Sequence, residues 1–525
     1  MDRKLQKTIS KQDTATVLER QDPSTDESNP TSDLASASTA RKLALLTIFS
    51  LAEFLDVFNN SALFPAIPVI SSDLRFEPPE TVWIISAYQL TFAAFLLLSG
   101  RISDVYTAKP AFIAGAFILG ITHLIGGFTH HKIALLVLRA LGGIGGALTI
   151  PSSLSLIVQL FPNPLHQARA LGIFNGVGAI GNILGLILGA IIVQYAGWSW
   201  IFWFVAIVGV AVSAISLFLI PASKRERKRV NFDVVGVSLL TVAVILFIFA
   251  VTSGSTVGWG TAYVLAPLLI SLALAAGFLF WEARINPDDA VLPPKMWKYD
   301  NFGILVSLAL LPYFWWLTSF INLTSWWEQV YGWSPITTAV HFLAMGISGG
   351  LTTNITGYLP RWFTHKQIII TGLFMGIVAS ILLPFATGPW TYWPFVFPAQ
   401  ILGGAGLILV FVNSSIALFS YTPPSVAGTV GAVFNCALQL GSAVGLAAVA
   451  SITTSLDSQY SFNPPITEWS RNLDHITPSM WKEAYTGRAA SYWFALGILT
   501  VATLAAIVFL KVDKKETRKE ESVEK

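Results

Sequence analysis

The chain has 525 residues, of which 54% are hydrophobic and only 12% charged, against roughly 45–50% and about 25% in soluble domains. So little charge cannot coat that much apolar surface in water, and the imbalance resolves if the surface faces lipid. A net charge of +3 is too small to call for nucleic acid or an acidic partner, and a lone cysteine, Cys436, can form neither an intrachain disulfide nor a thiolate metal site.

Residues 1–42 are polar and rich in Ser, Thr and Asp, with no apolar stretch before about residue 43; they read as a disordered cytoplasmic tail without a cleaved signal peptide. Fourteen predominantly apolar segments follow, near 43–69, 83–103, 110–128, 133–160, 168–193, 198–221, 232–252, 263–282, 302–324, 335–358, 367–387, 392–420, 425–451 and 490–511. Each has the roughly 20 residues that a hydrocarbon core about 30 Å thick demands of a helix. The runs are too long, and alternate too little, for strands of a membrane barrel. The fold expected is an all-α polytopic membrane protein.

Placing the N-terminus in the cytoplasm puts most of the 32 Lys and Arg on the inner side, as retention of positive charge requires. Arg75, Lys132, Arg471, Lys482 and Arg488 fall outside, and Arg139 alone lies within a span. An even number of spans also brings both basic termini to the cytoplasmic face. The run KRERKR at 224–229 reads as a solvated, lipid-facing segment. The longest outer connection, 452–489 with Trp469 and Trp481, reads as an interfacial cap.

The loop after the second span, GRISDVYTAK (Gly100 to Lys109), and the loop after the tenth, GYLPRWFTHK (Gly357 to Lys366), share Gly, Thr and Lys at identical offsets. This internal repeat divides the chain into a tail (1–42), a six-helix bundle (43–221), a basic linker with an inserted helix pair (222–301), a second six-helix bundle (302–511) and a charged cytoplasmic tail (512–525). A substrate path is expected between parallel six-helix halves.

Several strings resemble a known family. LDVFNNSALFPAIPVISSDL (Leu55 to Leu74) is similar to the first-helix signature of fourteen-helix drug:proton antiporters, matching at Leu55, Asp56, Ala62, Leu63, Pro65, Ile67, Asp73 and Leu74. GRISDVYTAK resembles the loop motif of the major facilitator superfamily, and LRALGGIGGALTIP (Leu138 to Pro151) its fourth-helix motif. GAIGNILGLILGA (Gly178 to Ala190) and GWSWIFW (Gly197 to Trp203) resemble the antiporter's fifth-helix motif and the segment after it. The wording lies closest to a fungal branch that includes aminotriazole-resistance proteins. The resemblance implies a major facilitator fold of two six-helix bundles plus an inserted pair. It also implies a proton-coupled exporter of small organic compounds working by alternating access, with small molecules, protons and lipid as partners. A monomer in the plasma membrane is expected, a vacuolar membrane being the other option, with no cofactor, no metal and no nucleic acid. Two departures stand out. Thr107, Ala108 and Lys109 replace the usual Gly-Arg-Arg-like ending of the loop, and Gly181-Asn182 and Gly185-Leu186 replace a Gly-Pro pair. The second keeps open a transporter that takes up or passes a small polar solute.

Asp56 is the residue expected to couple protons: an ionised Asp near mid-helix costs about 2.5–3.5 kcal/mol on insertion scales, so it must face a polar cavity or carry a proton. Its structural alternative is a carboxyl hydrogen-bonded between helices. Glu53 shares its helical face as a secondary proton site or a structural carboxyl. Arg139 needs a partner or a wet cavity, and the resemblance implies that it tunes a nearby carboxyl. Gly100, Arg101, Asp104 and Lys109 form the expected gate, in which Asp104 accepts from a helix N-terminus or a cation in one conformation and releases it in the other. The glycines of spans four and five, from Gly142 to Gly146 and from Gly172 to Gly189, read as close-packing contacts or hinges. Tyr88, Gln89, Asn175, Asn182, Trp315, Trp316, Asn413, Asn435 and Gln439 are the candidate cavity residues. His123 and His341 read as satisfied neutral side chains rather than a proton relay. An enzyme would need a His cluster, a paired carboxylate or a metal constellation; the adjacent Asp288 and Asp289 read as solvated. A non-transporting membrane sensor is the remaining alternative.

Overall fold

The computed structural model describes Leu34 and residues 37–76, 80–81, 83–105, 107–221, 233–286, 290–292, 294–457 and 476–511. The run at 224–229, Asp288, Asp289, Trp469 and nearly all of the two tails therefore lie outside the described residues.

All regular secondary structure among the described residues is helical, as it must be where no water is at hand to satisfy backbone N–H and C=O groups. The first crossing is α1 (Thr39–Ser61), a short 3-10 segment containing Pro65, and α2 (Ile67–Leu74). It is followed by α3 (Trp83–Val105), α4 (Ala108–Gly126), α5 (Lys132–Leu160), α6 (Pro164–Tyr195) and α7 (Ser199–Leu219). Next come α8 (Val234–Val257) and α9 (Ala262–Glu282), then α10 (Phe302–Gln329), α11 (Pro335–His341), α12 (Leu343–Thr356), α13 (His365–Leu382), α14 (Phe397–Ser420), α15 (Ala427–Asp457), α16 (Pro478–Ala484) and α17 (Thr486–Phe509).

Among the described residues, 13 helices are long and apolar enough to cross a membrane, not the fourteen expected. The difference is the segment 335–358, which is broken into α11 and α12 at Phe342. Phe342 keeps a right-handed backbone and its N–H still reaches the Thr338 and Ala339 carbonyls. The break is thus a bend within one crossing rather than a reversal. The outer connection is also shorter than expected, because α15 runs on to Asp457 and α16 occupies part of the remainder. Trp481 of α16 is buried against Trp326 and Tyr331, with ring centroids 5.9 and 5.4 Å away. It is a plug in the end of the bundle rather than an interfacial cap.

Packing repeats along the chain. In α1–α7 the main pairs are α1 with α6, α3 with α5, α4 with α5 and α4 with α7; in α10–α17 they are α10 with α15, α12 with α14, α13 with α14 and α13 with α17. The two sets meet through α3 with α15 and α6 with α12, which exchange under the same correspondence. α8 lies against α3 and α15, and α9 packs chiefly on α8. Leu269, Leu272 and Leu279 of α9 are exposed, where lipid would solvate them.

A second repeat accounts for this symmetry: RALGGIG (Arg139 to Gly145) in α5 and QILGGAG (Gln400 to Gly406) in α14. A Cβ on Gly145 would stand 2.8 Å from the Gly115 carbonyl oxygen, and one on Gly406 2.6 Å from that of Gly372. These close approaches let α5 lie on α4 and α14 on α13. The loop repeat has a physical role as well. Lys109 donates from Nζ to the Leu217 and Ile220 carbonyls at 3.1 and 2.5 Å, and Lys366 to that of Ile507 at 2.7 Å. Each lysine caps the end of its half's last helix, where orphan carbonyls and the helix dipole favour a cation.

Candidate functional site

Between the two sets of helices lies a cavity of about 130 Å³. Its walls differ. One wall, from α1, α3 and α6, presents Glu53, Asp56, Asn60, Gln89, Asn175 and Asn182. The facing wall, from α10, α12, α14 and α15, presents Tyr313, Trp316, Phe320, Phe411, Met345 and Gln439. Tyr313, Trp316 and Phe411 form a ring cluster with centroids 5.8–6.2 Å apart. Phe64 meets Phe320 across the gap at 4.9 Å.

Asp56 is buried and accepts a hydrogen bond from the Tyr88 hydroxyl. Arg139 sits over the Tyr88 ring, 4.7 Å from its centroid. Its guanidinium donates to Asn59 Oδ1 at 2.5 Å, Asn60 Oδ1 at 3.0 Å and the Ile84 carbonyl at 2.9 Å. The arginine is thus held by neutral acceptors and lies beside, rather than on, the acid. Helical spacing explains the assembly: Glu53, Asp56 and Asn60 recur at three and four residues along α1 and so share a face. Room for the acid comes from α5, because a Cβ on Gly146 would stand 2.7 Å from Asp56 Oδ1. Glu53 lines the same wall against Gly178, and its Oε2 has no hydrogen-bond partner among the described residues.

Away from the cavity, the end of α3 meets the start of α15 in close backbone contact. Asp104 Oδ1 accepts from the Gly428 N–H at 2.8 Å and Oδ2 from the Thr429 N–H at 2.7 Å, so an acid of α3 caps the N-terminus of α15. A charged cap of this kind is worth about 0.5–2 kcal/mol. Gly100 makes the approach possible, since a Cβ there would lie 2.5 Å from both the Gly428 oxygen and the Ala432 Cβ. Arg101 is buried within electrostatic reach of Asp104 and Glu282. Lys109 takes no part in this contact, because its amine caps α7 inside its own half.

Of the residues read from sequence as cavity-lining, Gln89, Asn175, Asn182, Trp316 and Gln439 line it. Tyr88 is spent on Asp56. Trp315 points away, donating from Nε1 to Ser380 Oγ at 2.8 Å. Asn413 and Asn435 turn their amides back onto the Leu409 and Gly431 carbonyls. Helical phase decides these cases: Trp315 and Trp316 are about 100° apart on α10, so only one can face the gap. Sequence reading missed Tyr313, Phe411, Asn59 and Asn60. Asn59 and Asn60 carried a signal, two adjacent amides one turn beyond an intramembrane acid.

The sequence model of the Major Facilitator Superfamily matches residues 49–446. The chain is 27% identical over 472 residues to a puromycin resistance protein, pur8, of Streptomyces alboniger, covering 89% of this chain and 90% of the relative. It is 28% identical over 482 residues to the multidrug transporter mfsC of Aspergillus fumigatus, covering 90% and 88%. A third relative is the cephamycin export protein CmcT of Amycolatopsis lactamdurans, 28% identical over 440 residues and covering 81% and 87%. Among solved structures, the proton:xylose symporter XylE aligns with a TM-score of 0.62 at 13% identity, covering 91% of this chain and 97% of that one.

Proposed function

Given that the chain belongs to the Major Facilitator Superfamily, and is therefore a multi-pass membrane transporter rather than an enzyme, we propose that it exports small, largely apolar organic compounds in exchange for protons. The observation that carries this reading is Asp56: a buried acid in the cavity wall, hydrogen-bonded to Tyr88, with Arg139 parked beside it on two amides. A proton on Asp56 and a substrate in the cavity compete through the same carboxyl, since Arg139 or a cationic group favours the ionised form and burial the neutral one. The functions for which the relatives are named, puromycin resistance and cephamycin export, support outward transport. The ring cluster suits apolar, aromatic compounds, and the carboxylates of Glu53 and Asp56 suit those that also bear a basic group.

Alternating access follows from rocking one six-helix half (43–221) against the other (302–511), with the Asp104 cap on α15 made in one state and released in the other. The Asp104 end is cytoplasmic in this reading, as are both termini. The protein is a monomer of the plasma membrane and belongs to the fungal fourteen-helix drug:proton antiporter branch. The amides Gln89, Asn175, Asn182 and Gln439 in the cavity favour a second reading, proton-linked passage of a small polar solute.

The deciding experiment uses the full chain in proteoliposomes with an imposed proton gradient and puromycin, the compound named for one relative, as probe. Gradient-driven puromycin movement that vanishes with a protonophore and in Asp56→Asn is the expected result. Movement that survives both treatments would sink proton coupling, and movement of sugars or amino acids but of no apolar compound would favour the second reading.

A further inference from the structure

His123 of α4 is buried, and both of its ring nitrogens face carbonyl oxygens. Nδ1 lies 2.8 Å from the Leu119 backbone oxygen and Nε2 lies 2.6 Å from Asn59 Oδ1. A neutral imidazole has one N–H, so one of these contacts would set lone pair against lone pair. Turning the Asn59 amide would offer Nε2 a donor, but the same oxygen also accepts from Arg139 at 2.5 Å. The turned amide would then meet the guanidinium donor to donor. As placed, both oxygens are filled when the ring carries both protons, with Asn59 Oδ1 then holding two cationic groups at once; a neutral ring keeps the Leu119 contact and leaves the Asn59 contact unfilled.

The groups around the ring supply no other route. From α1 it meets Asn59, with Asp56 one turn earlier; from α5 it meets Arg139, the nearest charge; the nearest titratable group of α3 is Tyr88, under Arg139. From α7, a helix with no titratable residue along its length, it meets Phe202 at 5.6 Å between ring centroids. Among the described residues no hydrogen bond is formed to the buried Asn59 Nδ2, although Asn59 also bears on the Tyr88 hydroxyl, so turning the amide gives up the contacts of Oδ1 with Arg139 and His123 and frees Nδ2 to donate to the ring.

We propose that His123 is a second proton-carrying group of this transporter, linked to Asp56 through an Asn59 amide that serves His123 and Arg139 in turn. With both protons in place, Asn59 and Asn60 hold Arg139 away from the protonated acid, as observed. When Asp56 gives up its proton, Arg139 turns onto the carboxylate and Asn59 rotates to donate to the imidazole. His123 then settles as the neutral ring, keeping the Nδ1–H on Leu119 and releasing the Nε2 proton. Linkage makes the effect reciprocal, so the two protons leave together. The inference rests on the proton-coupled reading above.

The test measures the initial rate of puromycin movement against pH, with the full chain in proteoliposomes. One titrating group changes a rate by at most about tenfold per pH unit, whereas two coupled groups exceed that. The unaltered protein is expected to exceed it on its steep limb, and His123→Gln and Asn59→Thr each to fall to the single-group limit. Should either variant not fold, the other carries the test. For the unaltered protein, 15N resonances of the imidazole rings should show one ring losing its second N–H when puromycin binds. Steepness unchanged in both variants, or rings that all ignore puromycin, would overturn the proposal. Asp56→Asn separates the two readings: if it leaves gradient-driven movement intact, proton coupling itself fails, and this inference with it. If it abolishes movement while His123→Gln and Asn59→Thr stay steep, only the role of His123 is lost.

Discussion

The two halves of the molecule share a packing plan and differ in what they place on it. Tyr88 and Thr91 meet the glycine of α5 that corresponds to Gly404 in α14, and there the partners are Met345 and Ser348. Asn59 reaches His123 where Trp315 reaches Ser380. By the same correspondence Gln400 stands in the place of Arg139, and Pro312 in that of Asp56. Every ionisable member of the first half's network thus has an uncharged counterpart in the second, while the second half supplies the cavity's ring cluster. What the repeat preserves is backbone approach, governed by glycine. What it leaves free is side-chain chemistry, and one half has specialised in charge and the other in aromatic surface.

The contrast can be broken most severely at Asp56. Asp56→Asn is expected to reduce gradient-driven transport by roughly 100-fold or more, while Trp316→Ala leaves the proton requirement in place and weakens apparent affinity for an aromatic substrate by about tenfold. Paired transport assays read both, and equal loss of coupling in the two variants would erase the division of labour. Next in size is Gly100→Leu, whose side chain cannot fit against Gly428 and Ala432. It should hold the Asp104 end apart, visible as cysteine labelling at Ser99→Cys that is absent in the Ser99→Cys parent. Asp104→Ala removes the cap on α15 and should shift the balance between closed and open forms by about fivefold to tenfold, measured as the distance distribution between spin labels on α3 and α15. The smallest effects belong to Lys109→Ala and Lys366→Ala. Each should cost about 0.3–1 kcal/mol of thermal stability in parallel, because the two caps are equivalent; a large transport defect in only one would show that its lysine does more than cap.

Much of this was open to sequence reading because lipid imposes simple rules. Length and composition located the helices, and one acid in an apolar run marked Asp56. The loop repeat pointed to two related bundles, although the lysine shared by both loops caps a helix in each half rather than gating between them. Other features depend on phase and depth, which apolar runs on every face conceal. Trp315 and Trp316 look interchangeable in sequence yet face a serine and the cavity, respectively. The bend at Phe342 has no proline to announce it. His123 reads in sequence as a satisfied neutral ring, and the proposal of a second proton there rests on what the sequence does not show, the two facing carbonyl oxygens, one of them shared with Arg139.

The helix pair between the halves belongs to neither and touches both. Thr241 of α8 donates to the Ala94 carbonyl of α3 at 3.3 Å, and Trp259, in the turn joining α8 to α9, donates to Ser451 of α15 at 2.7 Å. α3 and α15 are also the helices that meet at Gly100. A swing that parts them at that end, as proposed, would shear the hairpin stitched to both, and the largely exposed far side of α9 is where acyl chains would solvate it. On the proposed alternating-access reading, the thickness of the surrounding bilayer would therefore bear on the transport cycle through this hairpin.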